Sequence, residues 1–138
     1  MRLWHKDLIP YLPKKQLLGQ WRECCAITKN IIEKGTPNHG LVNKTMNYSV
    51  DHFYTYCDKI INEMKNRKYN IRVKRFYDYI FSFSNDNMFE IISDNDLFKD
   101  WHNERYLRQC YYNLQEKHDC GLISQEEWDK IYSKFGCD

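Results

Sequence analysis

A chain of 138 residues with 42% hydrophobic and 16% aromatic content has enough apolar material for one core, which predicts a single domain over residues 1–138 that folds alone. The formal net charge of +2 conceals a segregation: residues 1–30 carry six Lys and Arg against Asp7 and Glu23, residues 59–75 carry seven against Glu63, and residues 84–104 carry six Asp and Glu against Lys99. The pattern predicts one basic face suited to a polyanion and one acidic face, and the absence of a long apolar run excludes a membrane-spanning helix.

Residues 1–12 read as an irregular arm, with Trp4 and His5 packing it onto the body and Pro10 and Pro13 setting its exit. Pro13 suits the first turn of a helix that runs to about Lys34 and is ended by Gly35, Thr36 and Pro37. Leu17, Leu18, Trp21, Cys24, Cys25, Ile31 and Ile32 recur at helical spacing as its buried stripe. Arg22 and Glu23 break that pattern. Their neighbours one turn away are Leu18, Gly19, Cys25, Ala26 and Ile27, with Gln20 the single polar one, so no intrahelical ion pair accounts for either charge. With Gly19 and Ala26 between them they predict a shallow notch, a cation on one wall and a carboxylate on the other. The plainer reading of Glu23 is a carboxylate paired with a lysine from elsewhere in the fold.

A polar loop through His39 and Asn43, with His39 closing a turn, leads to a second helix near residues 49–67. There Val50, Phe53, Tyr54, Cys57, Ile60, Ile61 and Met64 share one face. Residues 72–95 fit a short helix or an extended segment equally well through Phe76, Tyr77, Ile80, Phe81 and Phe83. A third long helix is expected to start at Asp94, Asn95 or Asp96, to carry Leu97, Phe98, Trp101, Leu107, Cys110, Tyr111 and Leu114, and to stop at Gly121. Ser124 and Glu127 have the spacing of a capping box that opens a short C-terminal turn. No sustained alternation supports a sheet, so the fold class is all-α: three long helices, an N-terminal arm and an irregular C-terminal segment, with Trp21 and Trp101 in the core.

The six cysteines include the adjacent Cys24 and Cys25 inside a helix, with no apolar leader before them, and all six read as reduced thiols. No Cys-x-x-Cys pair exists, and His118 with Cys120 is too loose a cluster to hold zinc, so no metal and no cofactor are expected. The chain reads as an intracellular, cytoplasmic monomer.

Five segments taken in order resemble one family: the arm; Gln16-Leu17-Leu18-Gly19-Gln20-Trp21-Arg22-Glu23; residues 63–71 from Glu63 to Ile71; Asn113-Leu114-Gln115-Glu116-Lys117; and Trp128, Lys130, Tyr132 and Lys134. Their order and spacing look like the pyrimidine-dimer DNA glycosylases of the phage endonuclease V type. The resemblance implies a compact all-α domain that acts on double-stranded damaged DNA as a glycosylase with abasic-site lyase activity. In that family the N-terminal α-amine attacks the sugar C1′, the base leaves through a Schiff base, and β-elimination cuts the strand. Carried onto this chain, Met1 and Glu23 are the catalytic residues. Arg2, Lys14, Lys15, Arg22, Lys117, Trp128, Lys130, Tyr132 and Lys134 are the DNA contacts, with Arg22 on the phosphate next to the lesion. Several positions depart from the family pattern. Residue 2 is Arg where the family exposes a threonine by losing its initiator Met, and a bulky charged second residue keeps Met1 in place as the source of the amine. Gln16 stands where the family has a histidine, and Ala26 and Asn113 where it has arginines. Two other readings follow if those departures abolish chemistry: a non-catalytic DNA-binding protein of the same fold, or a helical protein-interaction module.

Overall fold

Proline placement and apolar spacing determine where the helices begin, and the computed structural model describes residues 2–34, 40–81 and 89–136. Among the described residues there are six α-helices and one 3-10 helix, with no strand. The arm holds the 3-10 helix Lys6–Tyr11, opened by His5, whose Nδ1 accepts from the Asp7 N–H, and carrying Pro10 inside it. The arm is therefore more regular than its composition suggests. Helix α1 spans Lys14–Lys34 and α2 spans Gly40–Met46, so Asn43 lies in a helix rather than a loop. Gly35, Thr36, Pro37, His39, Phe83 and Met1 fall outside the described residues.

Helix α3, Val50–Asn66, follows the sequence expectation, with Ser49 and Arg67 at its ends. Its buried Phe53, Tyr56, Cys57, Ile60, Ile61 and Met64 lie at spacings of three and four, and this face packs on α1. Helix α4, Lys74–Phe81, settles part of the ambiguous stretch as helix and packs on α1 from another side, with Phe76 edge-on to Trp21 at 5.3 Å.

The third long helix starts later than expected. Helix α5 spans Glu104–Asp119, capped by Asn103, whose side chain accepts from the Tyr106 N–H at 2.9 Å. Residues 94–101 form turns instead, because Phe98 and Asp100 adopt φ of 49° and 74°, which no right-handed helix accommodates. Contacts from other elements hold that conformation. His52 Nδ1 accepts from the Phe98 N–H at 3.1 Å, and the Lys6 ammonium donates to the Leu97 carbonyl at 2.7 Å and also to that of Asp94. Leu97, Phe98 and Trp101 are buried as predicted, but on a turn rather than a helix.

Gly121, at φ 79°, ends α5, with the Leu122 N–H returning to the Lys117 carbonyl at 2.9 Å. The capping box of Ser124 and Glu127 is present, and it opens an eleven-residue helix α6, Gln125–Phe135, in place of the short irregular turn expected there. Helix α6 packs on α5 and on the 3-10 helix, which also contacts α3, so the arm is held between the two halves of the core.

Candidate functional site

The arm is hydrogen-bonded almost residue by residue, and its start is delivered to Glu23. The Arg2 backbone N–H donates to Glu23 Oε2 at 3.2 Å. Gln20, one turn earlier on α1, donates from Nε2 to the Arg2 carbonyl at 2.9 Å and to the same Glu23 oxygen at 3.4 Å, while its Oε1 accepts from the Trp4 N–H at 2.7 Å. A single carboxamide thus pairs with the extended arm as a neighbouring strand would, supplying both a donor and an acceptor from one side chain. At 1% exposure Gln20 sits in a low-dielectric setting where those bonds are strong.

Behind Gln20 the Tyr56 hydroxyl lies 2.6 Å from the Trp4 carbonyl and 3.1 Å from Gln20 Oε1. Complete burial pushes its phenol well above the usual range, so it stays a neutral donor. Further along the arm, the Tyr106 hydroxyl donates to the Leu3 carbonyl at 2.5 Å and the Lys6 N–H donates to His102 Nδ1 at 3.0 Å. His5 and His102 stack at 5.1 Å, both buried and both accepting through Nδ1, which requires neutral rings. Burial holds both imidazoles below their usual range, His102 down to about 2.

Glu23 is half-buried, and no ion pair among the described residues includes it. Its partners among the described residues are a backbone amide and a carboxamide, where the plainer reading expected a lysine. Arg22 is exposed next to it, with Gly19 beneath: a Cβ at Gly19 would come within 3.9 Å of the guanidinium.

The other expected contacts scatter. Lys14 and Lys15 are exposed at the start of α1, and the Lys14 ammonium lies over Tyr69 at 5.3 Å. Lys14 and Lys130 share a groove of about 390 Å³ with Arg67 and Tyr69, whereas Lys134 lines a different depression with Lys6 and Lys59, and Lys117 a third with Asn113 and Cys120. Arg2 is half-buried, its guanidinium 5.2 Å from the centre of Trp4 and close enough to Cys110 and Tyr106 to act on both electrostatically. Trp128 corrects an expectation. It is 7% exposed, stacked on His118 at 5.0 Å and packed on Tyr111, so it belongs to the core and offers no aromatic surface to a duplex. Tyr132, on the next turn of α6, is exposed.

Gln20, Tyr56 and Tyr106 were missed. For Gln20 a signal existed, since Leu17 and Cys24 flank it at three and four residues and place it on the buried face of α1. Tyr56 and Tyr106 carried no such mark, because their hydroxyls act on backbone 52 and 103 residues away.

Cys24, Cys25, Cys57, Cys110 and Cys120 are free thiols, and burial pushes Cys25 up to about 11, leaving it protonated and unreactive at neutral pH. Among the described residues no group of three His, Cys, Asp or Glu side chains is arranged to hold a metal ion, and no helix is long and apolar enough to cross a membrane. His118 is occupied by Trp128 and by Gln125 at 3.1 Å.

Comparison with protein families matches residues 1–77 to the model described as pyrimidine dimer DNA glycosylase, a span that takes in the arm, α1, α3 and the Arg22 and Glu23 pair. Comparison with curated proteins and with solved structures gives no match.

Proposed function

Because the chain belongs to the pyrimidine dimer DNA glycosylase family, a family of DNA repair enzymes, we propose that it removes damaged pyrimidines from duplex DNA through an amine at the start of the chain and then cuts the strand as an abasic-site lyase. The observation that carries this reading is the hydrogen bond from the Arg2 amide to Glu23, because it brings the Arg2 backbone nitrogen beside a carboxylate. The Met1 nitrogen is three covalent bonds from that of Arg2. An α-amine with a pKa of about 7.7–8.0 is neutral in roughly a tenth of molecules at pH 7, hundreds of times more often than a free lysine at about 10.4. The neutral amine attacks C1′, the bond to the base breaks, and the departing base takes up a proton. The aminal left at C1′ then opens, the C1′–O4′ bond breaking as O4′ takes up a proton, and the resulting iminium is stabilised by the Glu23 carboxylate. Loss of a C2′ proton then expels the 3′ phosphate, and water hydrolyses the imine to free the amine. Glu23 is the group placed to move these protons. Arg22, exposed beside it, grips the neighbouring phosphate. The enzyme works as one domain and as a monomer, and its intracellular placement follows from its DNA substrate.

Borohydride reduction on duplexes holding an abasic site or a pyrimidine dimer tests the reading. The expected result is a covalent adduct whose peptide map ends on the N-terminal residue. An adduct on an internal lysine overturns the terminal amine, and no adduct at all leaves the non-catalytic DNA-binding protein as the better account. Glu23→Gln is expected to abolish strand cleavage while duplex affinity stays within about threefold, since it removes the charge made useful only in the transition state. Cleavage at the wild-type rate would overturn the assignment of Glu23.

A further inference from the structure

Along α1 the exposed Arg22 is followed on the same stripe by Cys25, Ala26 and Lys29, three, four and seven residues on. Beyond Arg22 this stripe lines a groove of about 280 Å³ together with Arg72, two residues before α4, and Arg75 and Phe76 in its first turn. Among the described residues three cations line it and no acid does. The first turn of α4 adds to this, carrying Lys74 and Arg75 with no acidic residue, so positive side chains gather where the helix dipole is already positive. Lys74, which does not line the groove, pairs with Asp78 one turn along α4 at 3.6 Å.

We propose that the groove between α1 and α4 is a sugar-phosphate subsite: Lys29, Arg72 and Arg75 hold phosphates of the DNA strand that runs on from Arg22, and the half-buried Cys25 and exposed Ala26 receive the apolar faces of its deoxyriboses. This rests on the DNA-binding part of the reading above and extends it to residues that the sequence did not single out. From Arg22 to Lys29 the helix rises about 10 Å, close to the axial length of three nucleotides of one strand. The occupant is a polyanion with small apolar faces, which matches a groove lined by cations and small apolar side chains and continues directly from the site at Glu23. Ala26, where the family pattern has an arginine, is then less a loss than a relocation. The missing cation is replaced from across the groove.

The test measures affinity for a labelled duplex with a tetrahydrofuran abasic analogue, by anisotropy over a range of KCl, using the full chain. Each phosphate contact contributes about 0.9 to the slope of log affinity against log salt. Arg72→Gln with Arg75→Gln is expected to make that slope shallower by about 1 to 2 and to weaken binding at least tenfold at low salt. Lys65→Gln with Lys68→Gln removes two exposed cations that do not line the groove and should leave the slope within about 0.5 of wild type. Ala26→Glu, an exposed change that helices tolerate, places an acid in the groove and should weaken binding as well. Equal slopes for the Arg72/Arg75 variant and wild type, or equal losses in both double variants, overturn the subsite. A wild-type protein that forms no adduct but shows the predicted slope change removes the lyase reading and keeps the subsite. One that binds no duplex removes both.

Discussion

Gln20 shows how much of this site depends on a residue that touches no substrate. Its amide spans Arg2, Trp4 and Glu23, so replacing it frees the start of the arm and leaves the Trp4 N–H and the Arg2 carbonyl without their partner. Gln20→Leu, similar in volume, is expected to lower the rate of Schiff-base trapping by about 100-fold, the penalty typical of an ångström-scale misplacement of reacting groups. Duplex affinity should stay near wild type, because the exposed cations are untouched. A loss of affinity equal to the loss of rate would show that Gln20 merely supports the fold. Arg22 and Glu23 were legible before any coordinates, because charges with no charged neighbour one turn away ask for a partner off the helix. The identity of that partner was not legible, since it is a main-chain amide 21 residues away and main chain carries no sequence signature.

Helices α3 and α5 end in the same way with different residues. After α3 the Tyr69 N–H returns to the Met64 carbonyl at 3.0 Å across Lys68 at φ 62°, and after α5 the Leu122 N–H returns to Lys117 across Gly121 at φ 79°. Glycine meets that conformation without steric cost, whereas a lysine is strained by about 1 kcal/mol. Lys68→Gly is therefore expected to raise the melting temperature by about 2 to 5 °C, and Gly121→Ala to lower it by a similar amount, in calorimetric scans. At this scale periodicity worked for α3 and the capping box worked for α6, since both are local signals. It failed over residues 94–101, where Leu97, Phe98 and Trp101 have helical spacing but the chain turns. The His52 ring and the Lys6 ammonium, both distant in sequence, satisfy backbone groups there that a helix would otherwise have paired.

For the whole molecule the buried imidazoles couple the arm to pH. His5 and His102 are held neutral in the folded state and take up a proton when unfolded, so the unfolded chain binds more protons below about pH 6.5. A depressed folded-state pKa on a base means stability that is present above the unfolded value and lost as pH falls through it. For His102, with its folded value near 2, the loss reaches about 2 kcal/mol at pH 5 and continues to grow until the pH nears that folded value. His5 adds to it in the same direction. Urea unfolding at pH 7 and pH 5 should show the decrease, and His102→Gln, which keeps an acceptor for the Lys6 N–H, should shrink it. A midpoint independent of pH over this range would contradict the neutral, buried pair.

Composition, helical periodicity and caps were sufficient to establish an all-α chain with Glu23 and Arg22 as its most suggestive residues, because these properties act over one or two helical turns, while the order of its motifs along the chain carried the resemblance to the pyrimidine dimer glycosylases. Tertiary structure alone decided that Gln20, Tyr56 and Tyr106 hold the arm, that Trp128 is core, and that Arg72 and Arg75 face Lys29 across a groove. Each of those outcomes joins residues tens of positions apart, and which distant backbone group a side chain meets is settled by packing that no local pattern encodes.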